Sequence, residues 1–303
     1  MFTMDFNCED LPQHGVVLVP PSSPDYDPLL ADILRRGDHL PGGPPIPESM
    51  RAQFSEQHRD ISAILLNRSP NSIAAIQQAW TFQERTGRTY TRFVRVGSNP
   101  AVLLPFGIPE NLQKLYGYWH VILPGSKRYL NANGEQLGDN SDVRPPAPDE
   151  IWTGGVVGGR GGAGRNRGAM DKVTLTLDGV FFTDGGFAGP NRRSLWEEIV
   201  YAAEAHIRVA NMARRGHERG RAAEEIIAEI ETITGPATPL SGHPRIHRPP
   251  SGFSDPEVYR QSALEKIAWQ IGRVRMSQGD ARTVDVVMGW FDAYVPNFHK
   301  LDR

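Results

Sequence analysis

The period of the hydrophobic pattern changes once along this chain, close to residue 190. Before that point apolar residues tend to alternate with polar ones, and after it they recur every three or four residues. Alternation is typical of a strand with one buried face, and the longer period is typical of an amphipathic helix. Strands that are followed by helices, rather than interleaved with them, favour an α+β fold.

The alternation is strongest in "DKVTLTLDGVFF", where apolar residues at 173, 175 and 177 are separated by polar ones. The segments "SIAAIQQAWTF" and "TYTRFVRVG" also alternate, and the short "ERTGR" between them predicts a β-hairpin. Further short candidates are "AVLLPF", "YWHVILP" and "KRYLN". Several short strands without intervening helices predict an antiparallel immunoglobulin-like β-sandwich over residues 60–190.

Proline punctuates the first 59 residues, in "VPPSSPDYDP" and again in "HLPGGPPIPES". Prolines at this density resist long regular elements and favour an extended chain. The segment "PLLADILRRG" between them has the composition of a short helix. We therefore predict that residues 1–59 form a proline-rich N-terminal arm with short helices.

Residues 191–303 are predicted to be helical. Ser194 and Glu197 have the spacing of a capping box at the start of the first helix. The segment "GPATPLSGHPRIHRPPSG" predicts a linker near residues 235–253. The predicted apolar stripes are Leu195, Ile199, Ala202, Ala203, Ile207 and Ala210 in the first helix, Leu264, Ile267, Ile271 and Val274 in a later one, and Val284, Val287, Met288, Phe291 and Val295 in the last.

Charge and cysteine content exclude several classes of function. The formal net charge is −2, so there is no global electrostatic case for binding nucleic acid or an acidic membrane surface. Cys8 is the single cysteine, which excludes an internal disulfide or a multi-cysteine metal site. No segment approaches the ~20 apolar residues that span a bilayer. The first residues lack a basic and an apolar signal region, so a cytoplasmic location is expected.

Two phrases resemble an uncharacterised bacterial protein family. The first is "ILPGSKRYLNANGEQLGDNSDVRPP", and the second is "VTLTLDGVFFTDGGFAGPN" followed by a helix. Members of that family pair an "ILPGSKR" turn with a later "LDxVxFxDGxxxGP" strand and turn. The resemblance covers residues 60–215. It implies a sandwich fold, and it implies no activity, substrate or catalytic residue.

The segment "TGGVVGGRGGAGRNRGAMD" contains the glycine spacing of a dinucleotide-binding turn, at Gly159, Gly161 and Gly164. Such a turn must open a helix, and here a strand pattern follows, so no nucleotide cofactor is predicted. The arginines of this segment lack interleaved aromatic residues for base stacking. We interpret residues 154–168 as a loop between two strands.

An aromatic cluster in "LYGYWH" is the strongest candidate for a ligand or partner surface; it contains Tyr116, Tyr118, Trp119 and His120. Alternating aromatics in a strand also occur as part core and part rim, and that alternative stays open. A carboxylate pair formed by Asp178 and Asp184 is a weaker possibility for acid–base chemistry.

Metal-binding and nucleophilic residues form no recognisable set. Asp139, Asn140 and Asp142 lack the order of a calcium loop. His243 and His247 lie in the predicted linker, and His206 beside an apolar stripe is expected to be packed and hydrogen-bonded. Cys8, next to two acidic residues, is expected to have a raised thiol pKa. No catalytic residue, metal or cofactor is predicted.

These patterns favour a non-catalytic cytoplasmic protein that binds a protein partner or associates with itself. Neither nucleic acid nor a membrane is expected as a partner. Two alternatives remain at this point. One is an enzyme without a recognisable motif, such as a hydrolase, and the other is a carbohydrate-binding module that uses the Tyr116–His120 region.

Overall fold

The structure is a computed structural model that describes residues 5–36, 56, 58–97, 122–132, 136–138, 170–236, 256–290 and 297–302. The described residues form two compact units. Those up to residue 190, with residues 299–302, form the sheet unit. Residues 191–236, 256–290 and 297–298 form the helical unit. Sheets followed by separate helices confirm the α+β class that the change in hydrophobic period predicts.

The sheet unit consists of two sheets and one helix over the described residues. In chain order its elements are β1 (Asp5–Glu9), β2 (Val16–Val19), α1 (Tyr26–Arg36), β3 (Ser62–Asn67), β4 (Ile73–Glu84), β5 (Thr89–Gly97), β6 (Lys127–Asn131), β7 (Gln136–Gly138), β8 (Met170–Phe182), β9 (Gly186–Ala188) and β10 (His299–Lys300). The six-stranded sheet has the order β10-β9-β8-β4-β5, with β1 also paired to β8. The four-stranded sheet has the order β2-β3-β6-β7.

β8 is the central strand of the six-stranded sheet. One edge of β8 pairs antiparallel with β4 along its whole length, and the other edge pairs with β1 and then with β9. The β1–β8 and β10–β9 pairs are parallel, so the prediction of a wholly antiparallel arrangement is wrong at these two strands. Both lie far along the chain from their partners, and parallel pairing requires such a long connection. The immunoglobulin-like topology stays a prediction.

One apolar core draws on both sheets. Its largest members are Trp80 and Phe82 of β4, which are fully buried. The indole Nε1 of Trp80 donates to the side-chain oxygen of Gln78 at 2.9 Å, so the buried indole keeps a hydrogen bond. The predicted alternation in β8 is confirmed, because its apolar residues 173, 175 and 177 all belong to this core.

A second, smaller core lies between α1 and the four-stranded sheet. Tyr26 and Ile33 of α1 are fully buried in it with Ile64 and Tyr129. The Tyr26 hydroxyl lies 2.5 Å from the Ser62 hydroxyl, which satisfies the polar end of the buried ring. The helix is therefore held by apolar burial and by a buried hydrogen bond.

In the described part of residues 1–59, the short helix predicted at "PLLADILRRG" is confirmed as α1, but the prediction of a separate extended arm is wrong. β1, β2 and α1 all belong to the sheet unit, so the predicted boundary at residue 59 does not match the structure. The prolines precede or follow these elements, and Pro28 lies in the first turn of α1, where a missing N–H costs no hydrogen bond. Prolines therefore mark the ends of the elements here rather than preventing them.

The C-terminal boundary also differs from the prediction. β10 lies within the predicted helical region 191–303 but pairs with β9 of the sheet unit. The Leu301 amide extends this pairing by donating to the Phe187 carbonyl at 2.8 Å.

The helical unit contains α2 (Leu195–Glu218), α3 (Ala223–Thr234) and α4 (Pro256–Met288). α4 is interrupted at Gly279, whose φ of 78° is left-handed. In α2 the buried face includes His206 and leaves the predicted Ile207 half-buried. Phe291, Val295 and most of the predicted linker lie outside the described residues. None of the helices among the described residues has the length and apolarity to cross a bilayer.

The capping box predicted at the start of α2 is wrong. Ser194 has a left-handed φ of 55°, and its side chain makes no capping hydrogen bond. Asn191 takes that role instead: its Oδ1 accepts from the Trp196 amide at 3.0 Å, and its Nδ2 donates to Glu197 at 2.7 Å. The left-handed backbone at Ser194 turns its hydroxyl away from the first amides of the helix.

Candidate functional site

Several candidate residues from the sequence lie outside the described residues. They are Tyr116, Tyr118, Trp119 and His120 of the aromatic cluster, the glycine-rich segment 153–169, Asp139, Asn140 and Asp142, and the linker residues His243 and His247. The structure therefore does not test the aromatic platform, and the two alternatives that it supports stay predictions.

Cys8 is part of β1, opposite Leu175 of β8, rather than part of an extended arm. It is half-buried against the apolar core. Burial, followed by the negative charge of Asp10, raises the pKa of the Cys8 thiol to about 12. The thiolate is the nucleophilic form, so this cysteine is unsuited to catalysis near neutral pH.

Asp178 and Asp184 do not come together as a carboxylate pair. Asp178 is fully buried at a β-bulge, where the register with β4 skips it. Asp184 lies in the turn after β8, at least four strand residues farther on, which is roughly 13 Å of extended chain. The structure therefore gives no support to the weaker possibility of acid–base chemistry at these two residues.

The Asp184 carboxylate instead fixes a corner of the sheet unit. Its Oδ2 accepts from Asn71 Nδ2 at 2.5 Å, and its Oδ1 accepts from the Gly186 amide at 2.9 Å. The side-chain nitrogen Nδ2 of Asn67 donates to the backbone carbonyls of Asn71 and Ile122 in the neighbouring loop. These bonds join loop segments that are distant in sequence, which is a structural role.

His206 is fully buried and hydrogen-bonded, as expected from its position beside the apolar stripe. Among the residues that the structure describes, no group of three or more histidine, cysteine, aspartate or glutamate side chains is arranged to hold a metal ion.

The β4–β5 hairpin presents the most distinctive exposed feature of the sheet unit. The predicted hairpin is confirmed, with antiparallel pairing from Ala75↔Gly97 to Gln83↔Thr89. Its turn is closed by the Gly87 amide, which donates to the Glu84 carbonyl at 2.9 Å. Gly87 has a φ of 83°, and no atom lies within 4 Å of the position that a Cβ would take. The turn therefore projects without packing against other described residues.

One face of β5 is attached to the shared core. Val94 is buried, and the Tyr90 ring stacks on Phe82 with centroids 5.0 Å apart. On the other face, the Thr91 hydroxyl lies 3.0 Å from the Thr81 hydroxyl. The strand is thus held in place by its core-facing side chains, and Thr89 and Thr91 remain exposed.

β5 is the last strand of the six-stranded sheet. Over the described part of the chain it pairs with β4 and with no strand on its other side. The hairpin from Glu84 to Arg95 contains four arginines and one acidic residue in a chain whose net charge is −2; the arginines are Arg85, Arg88, Arg92 and Arg95. We call the outer side of β5, with these arginines, the basic edge.

The sequence predicts the hairpin but not the basic edge. Which strand ends a sheet depends on long-range pairing, and nothing in residues 73–97 shows that β8 rather than another strand borders β4. A local signal does exist in hindsight. Arg92 and Arg95 lie on opposite faces of a strand whose other residues alternate between apolar and polar. Charges on both faces are typical of edge strands.

Comparisons with protein-family models, with curated proteins and with solved structures find no match for this chain. The resemblance to the bacterial family therefore stays a prediction, and the function is argued from the residues alone.

Proposed function

We propose that this chain is a non-catalytic interaction protein whose basic edge binds an extended acidic segment of a partner protein. In this mode the partner segment adds a strand beside β5, and main-chain hydrogen bonds supply the affinity. The immunoglobulin-like sandwich and the cytoplasmic location are proposed with it, but the binding itself is argued from the edge, because function belongs to a site rather than to a fold.

The observation that carries the proposal is the one-sided pairing of β5. Every second residue of the nine-residue strand β5 directs its N–H and C=O groups away from β4, and no other described strand pairs with that side. Exposed strand edges are templates for pairing with another chain. β5 is also firmly positioned by Tyr90 and Val94, so a partner strand would meet a pre-formed edge.

The arginines of the basic edge favour an acidic partner segment. Arg85 and Arg88 are exposed at the turn, and Arg92 and Arg95 are half-buried along the strand. An acidic segment would place its carboxylates beside these guanidinium groups, and complementary charge raises the association rate. Self-association through this edge is disfavoured, because antiparallel pairing of two β5 strands would bring arginines of both copies together.

The proposal can be tested with an alternating Thr-Glu peptide of the same length as β5. We expect it to bind, and we expect the double variant Arg88→Glu/Arg92→Glu to weaken binding by roughly tenfold or more, as two surface ion pairs would. The matched control is Arg215→Glu/Arg219→Glu, which makes the same change of charge at two exposed arginines in the helical unit. Isothermal titration calorimetry measures both.

Two further ligands separate strand addition from simple charge attraction. The same Thr-Glu peptide with every backbone nitrogen methylated keeps its length and charge but has no N–H donor on either edge, so it should bind much more weakly. A single-stranded oligonucleotide should also bind weakly. Equal binding of all three ligands, or an unchanged affinity in the double variant, would contradict the proposal.

A further inference from the structure

His206 is a titratable group in the middle of the helical unit. Its side chain is fully buried between α2 and α4. Nδ1 lies 2.7 Å from the Ala202 carbonyl oxygen, and Nε2 lies 3.2 Å from the side-chain oxygen of Gln270. The ring also contacts Trp290, with centroids 5.0 Å apart. The imidazole therefore joins α2 to the middle of α4 and to Trp290, two residues after the end of α4.

The protonation state of the ring decides which hydrogen bonds it can make. The Ala202 carbonyl can only accept, so Nδ1 must carry a hydrogen in either state. In the neutral ring Nε2 then accepts, and Gln270 must present its amide N–H₂. In the protonated ring Nε2 donates, and Gln270 must present its oxygen. The two orientations of the amide occupy the same space.

We propose that His206 is an acid-sensitive contact of the helical unit, whose neutral form holds α2 against α4 and whose protonation loosens them. A cation at this position would lie in an apolar environment without a carboxylate partner among the described residues that contact it. Burial of a charge without an opposite charge is costly. The inference concerns stability alone and does not depend on the basic edge.

The charged groups around the ring favour the neutral form. On α4 the charged neighbour is Lys266, whose ammonium lies 3.5 Å from the Glu198 carboxylate of α2. The other α4 contact, Gln270, is neutral, as is Trp290. α3 packs against a later turn of α2, where Ile226 lies close to Gly216. The flanking α2 positions on the buried face are apolar, at Ala202 and Val209.

Burial lowers the pKa of His206, and Lys266 lowers it further, while the hydrogen bonds to Ala202 and Gln270 oppose the shift. The unfolded chain then takes up a proton near the ordinary histidine pKa of about 6.5, and the folded chain does so only at lower pH. The contribution to stability is therefore full above about pH 6.5, falls as the pH decreases from there towards the folded pKa, and changes no further below it.

Amide hydrogen exchange on the full chain tests this inference. Between about pH 7 and about pH 5.5, protection of α2 and α4 should fall in the wild type relative to His206→Gln, by up to about tenfold per pH unit. Comparison at equal pH removes the intrinsic pH dependence of exchange. His217→Gln is the matched control, because His217 is exposed on the same helix and should leave the pH profile unchanged.

A second variant keeps the inference falsifiable if His206→Gln folds poorly. Gln270→Glu places a carboxylate beside Nε2 and should raise the His206 pKa, which abolishes or reverses the loss of protection at low pH. The ring resonance of His206, followed by NMR, should titrate below the ordinary histidine range in the wild type. A His206 that titrates at or above that range, or pH profiles that do not differ between wild type and His206→Gln, would overturn the inference.

Discussion

Asn191 caps the start of α2 although it lies outside the helix. It lies four residues before Leu195, the first residue of the helix, and both polar ends of its side chain bind residues of the first turn. Its φ of 60° is left-handed, a conformation that asparagine tolerates better than most residues. The side chain and the backbone of Asn191 therefore both suit the turn between β9 and α2.

We predict that Asn191→Ala destabilises the chain by on the order of 1 to 2 kcal/mol, because it removes the acceptor of the Trp196 amide and places alanine in a left-handed conformation. Ser194→Ala should change the free energy of unfolding by less than about 0.5 kcal/mol. Chemical denaturation measures both. A larger effect at Ser194 would show that the capping box forms in solution.

Residue-scale chemistry was partly predictable from the sequence. The direction of the Cys8 pKa shift follows from its acidic neighbours and the packed state of His206 from helical spacing, both of which are local. The larger cause of the Cys8 shift, burial in a strand paired with β8, is not local. The cap of α2 was not predictable, because Ser194 and Glu197 satisfy the capping-box spacing and only the backbone angle at Ser194 prevents the bond. The capping-box spacing predicts a cap only when the N-cap residue has its usual extended backbone angles.

At the scale of elements, the close approach of α2 and α3 depends on one glycine. Gly216 lies on the buried face of α2, and a Cβ there would be 2.7 Å from Cγ1 of Ile226. Glycine normally weakens a helix by about 1 kcal/mol relative to alanine. Its presence here allows the Ile226 side chain to rest against the helix backbone.

We predict that Gly216→Ala destabilises the helical unit by roughly 1 kcal/mol, since overpacking of about 1–3 kcal/mol outweighs the gain in helix propensity. In an Ile226→Ala background the same substitution should be neutral or stabilising, because the clash is absent. Thermal unfolding of the four proteins measures this coupling. Equal effects in both backgrounds would contradict the close packing.

The elements that the sequence predicted well have strong local patterns. The β4–β5 hairpin, β8 and the helices each carry an unbroken period or a clear turn signal. β1 and β2 were missed, because short strands among prolines and acidic residues have no such pattern. Their strand state depends on partners that are distant in sequence, such as β8 for β1.

At the scale of the whole molecule, the change in period near residue 190 predicted where the sheet unit gives way to the helical unit. It could not predict that β10 returns to the sheet unit, since two residues carry no periodicity. The basic edge was likewise not predictable. Its position follows from the order β8-β4-β5, which is fixed by pairing across about ninety residues of chain.

Residue-resolved amide exchange of β5 shows whether the outer side of this strand is open to a partner strand. In the free protein, we expect alternate β5 amides to exchange quickly, because β4 is the one described strand that pairs with β5, while the amides of β4 exchange slowly. Addition of the Thr-Glu peptide should slow the fast amides by about tenfold or more, as occupancy of the edge rises. Slow exchange of every β5 amide in the free protein would show that the edge is already covered and would rule out strand addition at β5.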